Sequence, residues 1–146
     1  MTKSARFIRF NFWELNILLL LLALFYTNFL GILDMSQITV DIVYFISLFV
    51  IQITSATYRK KLHIKSNSAL VFVEDERERS IIYKIHSILL SFYTAAAFLL
   101  LLAIPLINLF TLDIYTALTI IAGWLILMGF LGNIIYYSTW LKYYHK

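Results

Sequence analysis

Side chains able to do acid–base, ionic or metal chemistry are few and widely spaced in this 146-residue chain. Glu14 stands at the start of an apolar run, at the same depth as Arg77 and Lys84, two cations that open a later run. A charge at the edge of lipid needs a partner. The sequence therefore predicts an ion pair from Glu14 to Lys84, or from Glu14 to Arg77, at one mouth of a helical assembly. His63, His86 and His145 are separated by 23 and 59 residues, and neither spacing brings two imidazoles onto one helical face. Cysteine is absent, which removes thiolate nucleophiles, thiolate metal sites and disulfides. No nucleophile with a base, acid–base pair or ligand cluster converges. The expectation is a protein that is not an enzyme and has no cofactor or metal.

The elements that must position these groups follow from composition. Residues are 62% hydrophobic and 14% charged, and the mean hydropathy is +0.84, against roughly 45–50% apolar and 25% charged in soluble domains. A water-surrounded fold of this length would expose large apolar patches. Crossing a hydrocarbon layer of about 30 Å takes roughly 20 residues of helix, and four such runs occur: Phe12 to Leu33, Thr39 to Tyr58, Ile81 to Phe110 and Ile114 to Tyr137. The third is long enough for its first turns to stand outside the hydrocarbon. The first continues beyond the about 15 residues of a signal-peptide core and ends in Thr27-Asn28-Phe29-Leu30 without a small-x-small cleavage pattern, so it is expected to be a retained anchor. The predicted fold is an all-α integral membrane protein, a four-transmembrane-helix bundle forming a single domain over residues 1–146.

Charge sorts the two sides. The 12 Lys and Arg residues are Lys3, Arg6 and Arg9 before the first run, Arg59, Lys60, Lys61, Lys65, Arg77, Arg79 and Lys84 around the central segment, and Lys142 and Lys146 at the end. Turns between the first and second runs and between the third and fourth contain Asp34, Asp41 and Asp113 but no cation. The positive-inside rule then places both termini and segment 59–80 in the cytoplasm of a multi-pass protein of the cytoplasmic (inner) membrane. Trp13, Tyr58, Tyr136, Tyr137, Trp140, Tyr143 and Tyr144 fall at that inner boundary, where amphipathic rings prefer to lie.

Helices in lipid associate through small residues and hydrogen-bonding groups. Ser87, Ser91 and Ala95 recur at four-residue spacing in the third run; Ala122, Gly129 and Asn133, and likewise Asn16, Ala23 and Thr27, recur at seven and four in the fourth and first. These three stripes are expected to bury against one another, with Gln52 and Ser55 of the second run also inward. Pro105 removes one helical hydrogen bond and is expected to kink the third run.

Before that run stands Glu74-Asp75-Glu76-Arg77-Glu78-Arg79. Asp75 as N-cap with Glu78 three residues later has the form of a capping box, and carboxylates in a first turn suit the helix dipole. Arg77, Ile81, Lys84, Ser91 and Ala95 fall at 4, 3, 7 and 4 and share a face. The pattern D-E-R-x-x-x-I-x-x-K, here Asp75-Glu76-Arg77 with Ile81 and Lys84, resembles small, uncharacterised prokaryotic predicted membrane proteins, in which Ala often follows the Lys; this chain has Ile85. The resemblance covers about ten residues beside the general helical pattern and implies a bacterial or archaeal inner-membrane protein.

In segment 59–80, Arg59, Lys60, Lys61 and Lys65 are expected to meet lipid headgroups, since anionic lipid attracts each nearby cation by about 1 kcal/mol. The apolar stretch Ala69 to Val73 calls for a surface to dock on. The expected partners are the bilayer, its anionic lipids and a cytosolic protein; self-association is open, and no nucleic-acid-binding module fits. The function these features favour is that of a non-catalytic inner-membrane accessory or regulatory protein. Alternatives are an immunity protein against membrane-active peptides and a small transporter or efflux component. Four runs with an acidic residue in the first resemble the small multidrug resistance proteins, although Glu14 begins its span and no other charge lies at mid-membrane, where a coupling site belongs.

Overall fold

Helix formation starts earlier than the apolar runs require. Thr2 accepts a hydrogen bond from the Ala5 amide at 3.2 Å, satisfying a first-turn donor, and α1 runs Lys3–Phe29. In the computed structural model, which describes residues 2–31, 36–63, 76–109 and 113–144, the other helices are α2 (Gln37–Lys61), α3 (Glu76–Leu109) and α4 (Ile114–Tyr144). Each of the four is long and apolar enough to cross a membrane. α3 continues through Pro105 to Leu109. Gly31, at φ +71°, stops α1 by donating to Asn28 O, the left-handed turn that glycine adopts without a Cβ penalty. At the start of α4, Asp113 accepts from the Thr116 amide at 2.7 Å and the Thr116 hydroxyl at 2.8 Å.

The helices pack in the order α2–α1–α4–α3, each touching only its neighbours in that row. α2 lies on α1 through Phe10–Tyr58 and Phe25–Tyr44 ring stacks at 4.2 and 4.6 Å. On α2, Val40, Tyr44, Ile51, Ser55, Tyr58 and Leu62 form the less exposed stripe. Ser55 is buried as expected of an inward residue, whereas Gln52 is exposed.

All four helices extend past the expected spans at the end that carries the basic residues. There Ala5 and Ile8 of α1, Ile81 and Ile85 of α3 and Trp140 of α4 form a buried cluster. Phe7 and Leu62 form a second, between α1 and α2. Along the shafts the helices present large apolar side chains outward, such as Phe49 and Leu102.

Candidate functional site

Two features are built at and just below the basic end. The first is a polar latch above the buried cluster. Ser4, 1% exposed, donates to Glu78 Oε1 at 2.5 Å. Thr2 Oγ1 lies 2.8 Å from Ser4 Oγ, 3.4 Å from Glu78 Oε1 and 3.1 Å from the Tyr144 hydroxyl. A hydroxyl has one proton to give. With that of Ser4 committed to Glu78, Thr2 shares its own between Ser4 and Glu78, and Tyr144 donates to Thr2. The latch thus joins the first turn of α1, the first turn of α3 and the last turn of α4.

The expected capping residues divide here. Asp75 lies outside the described residues. Glu78 is turned inward and buried, and its printed partners are on α1.

The buried stripe of α3 is Glu78, Ile82, Ile85, Leu89, Phe92 and Ala96, at spacings of 4, 3, 4, 3 and 4. This corrects the expected face of Arg77, Ile81, Lys84, Ser91 and Ala95. The helix is turned by one residue, about 100°, so Ile85 replaces Lys84 inside and Ala96 replaces Ala95. Ser87, Ser91 and Ala95 are exposed, and Ser91 Oγ donates to its own helix at Ser87 O. The turn is explained by the cost of burying cations: it leaves Arg77 and Lys84 exposed and buries isoleucines instead. Lys84 Nζ lies 5.5 Å from the Tyr143 ring centroid, in a cation–π arrangement.

The expected ion pair is likewise replaced. Glu14 is half-buried on the stripe Phe7, Glu14, Leu21 and Phe25, spaced 7, 7 and 4. Phe7 packs on Leu62 and Phe25 on Tyr44, so this stripe faces α2 rather than α3. Among the described residues no ion pair joins Glu14 to Lys84 or Arg77.

Between α1 and α4 the small and polar residues sit in the interface. Asn133 is buried and donates to Phe12 O at 3.0 Å; Asn16 donates to the same carbonyl at 2.9 Å. A Cβ on Gly129 would stand 2.9 Å from the Leu19 side chain. Ala23, Thr27 and Ala122 are half-buried, and Thr27 donates to Leu24 O. Gly132, absent from the expected stripe, is closer still, since a Cβ there would overlap the Tyr93 hydroxyl.

The second feature is a cleft of about 530 Å³. Ile8, Asn11, Phe12, Leu15 and Leu19 of α1 form one wall and His86, Leu89 and Tyr93 of α3 the other. Gly129, Gly132, Asn133 and Tyr136 of α4 form its floor. Asn11 Oδ1 is buried there without a hydrogen-bond partner. Glu14 is not among the lining residues.

Of the expected headgroup residues, Arg59 holds its guanidinium 5.9 Å from the Phe7 ring centroid, and its Nε is buried without a hydrogen-bond partner. Lys60 and Lys61 are exposed; Lys65 lies outside the described residues.

Sequence reasoning passed over Thr2, Ser4 and Tyr144 because they lie outside the apolar runs. The signal was Ala5, Ile8 and Phe12, whose spacing of 3 and 4 carries the α1 stripe upstream of the first span. It also treated His86 as an interfacial residue, although Arg79, His86 and Tyr93 recur every seven residues. Among the described residues no group of three His, Cys, Asp or Glu could hold a metal ion. No family model, curated protein or solved structure matches the chain.

Proposed function

We propose that this chain is a non-catalytic accessory or regulatory protein of a prokaryotic cytoplasmic membrane. Both termini and segment 59–80 face the cytosol, where the segment engages a protein partner and the neighbouring cations engage anionic lipid. The observation carrying this reading is the concentration of polar interaction at one end: the latch, both buried apolar clusters and Arg59, Lys60 and Lys61 all lie there. The opposite end offers the exposed Asp113 cap. The site geometry fits a mechanical role, since Ser4 and Glu78 are buried away from any substrate and hold three helix ends together.

A photo-crosslinking residue placed at successive positions of 59–80 in native membranes tests this. Capture of the same cytosolic protein from several positions, lost when the segment is replaced by a Gly/Ser linker, is expected. Crosslinks to lipid alone at every position would overturn the partner reading.

A further inference from the structure

The cleft between α1, α3 and α4 has a shape and polarity that select an occupant. Its volume of about 530 Å³ falls within the roughly 300–1,000 Å³ of small-molecule sites. Its polarity is graded: Asn11 and His86 lie toward the basic end, while Leu15, Leu19 and Leu89 extend toward mid-helix. From Asn11 to Leu19 is eight residues, or about 12 Å at 1.5 Å each. α1 and α3 both pack on α4 and not on each other, so the cleft opens sideways between them. Toward the helix ends it is closed by the cluster of Ile8, Ile85 and Trp140. In a bilayer such an opening admits a lipid and excludes a water-borne solute.

The polar groups narrow the choice. Asn11 Oδ1 is an unmatched buried acceptor, a condition native proteins resolve by supplying a donor. Arg79 precedes His86 by seven residues on the same face and is exposed. That places it about 10 Å nearer the headgroups than His86, with the planar fork suited to a phosphate. The cleft thus presents an apolar trough for one chain, an acceptor for a hydroxyl at its mouth and a cation for a phosphate beyond.

We infer that the cleft binds one monoacyl glycerophospholipid, with its chain along Leu15, Leu19 and Leu89, its free glycerol hydroxyl donating to Asn11, and its phosphate at Arg79. A diacyl lipid lacks that hydroxyl and has a second chain to place. This inference rests on membrane placement of the helices and not on the partner proposed for segment 59–80.

The test is native mass spectrometry of the full chain in mild detergent, supplied with equal amounts of monoacyl and diacyl phosphatidylethanolamine. The expected result is one monoacyl lipid retained per chain. Retention is lost in Leu89→Trp, which fills the trough, and weakened in Arg79→Gln and Asn11→Leu. It is unchanged in Lys60→Gln/Lys61→Gln, where only surface attraction is removed. Leu15→Phe serves as a second filling variant, and helical circular dichroism checks that each variant folds. Equal retention of the two lipids, no retention by the native chain, or undiminished retention by both filling variants would overturn the inference.

Discussion

The basic end and the apolar shafts are made of similar residues and treat them oppositely. At the basic end Phe7, Ile8, Ile85 and Trp140 are buried; along the shafts Phe49 and Leu102 are each 67% exposed. Burial of apolar surface is favourable where the alternative is water, and that drive vanishes where the alternative is hydrocarbon. The proposed placement accounts for the contrast: helix ends projecting toward the cytosol build a core like that of a soluble protein, whereas the shafts meet lipid and touch through Gly129, Gly132, Asn16 and Asn133. Position of burial in such a chain marks where water begins.

Substitutions can break or sharpen the contrast. The largest effect is expected for Trp140→Ala, which empties the cluster and costs about 3–5 kcal/mol, read as a lowered unfolding midpoint in detergent; Phe49→Ala, on a shaft, should stay within about 0.5 kcal/mol. Next, Glu78→Ala leaves the buried Ser4 hydroxyl without its acceptor, at about 1–3 kcal/mol. A double-mutant cycle with Ser4→Ala should show coupling, and additivity would argue against the latch. Of comparable size is Gly132→Ala, whose Cβ overlaps the Tyr93 hydroxyl, an overpacking worth about 1–3 kcal/mol and relieved by Tyr93→Ala. Gly123→Ala meets nothing within 4 Å and should be neutral or stabilising through helix propensity.

The smallest effect concerns pH at the far end. The Thr116 amide, and then its hydroxyl, hold the Asp113 carboxyl below its ordinary value of 3.8. A depressed folded-state pKa gives stability that is present above the ordinary value and lost as pH falls through the depressed one. Asp113→Asn should therefore flatten the acid limb of the stability profile below about pH 4. An unchanged limb would show that the cap contributes nothing there.

Much of this was legible in the sequence. Composition and run length gave four helices with starts and stops near those observed, and Asn16, Gly129 and Asn133 marked the α1–α4 interface. The expected face of α3 lay one residue away, because small residues were weighted as the packing surface along a helix whose first turns pack by the hydrophobic effect. With water at that end, Ile81, Ile82 and Ile85 are what the helix buries, and Lys84 turns out. The Glu14 pairing failed for the same reason, since matching depth says nothing of rotation about the axis. Seven-residue recurrence did contain that information: Phe7, Glu14 and Leu21 share the face turned to α2. The latch was hidden because a buried Thr2–Ser4–Glu78 contact joins residues more than 70 positions apart, and a capping role for Glu78 explained the same letter locally.

The central claim is that equal exposure means lipid on the shafts and water at the basic end. Because the chain has no cysteine, single nitroxide labels can be attached at Phe49, Leu102, Arg79 and Lys142 after reconstitution in vesicles. Collision with dissolved oxygen should dominate at 49 and 102, and collision with a water-soluble nickel chelate at 79 and 142. Nickel accessibility at 49 and 102 as high as at 79 and 142 would contradict the account.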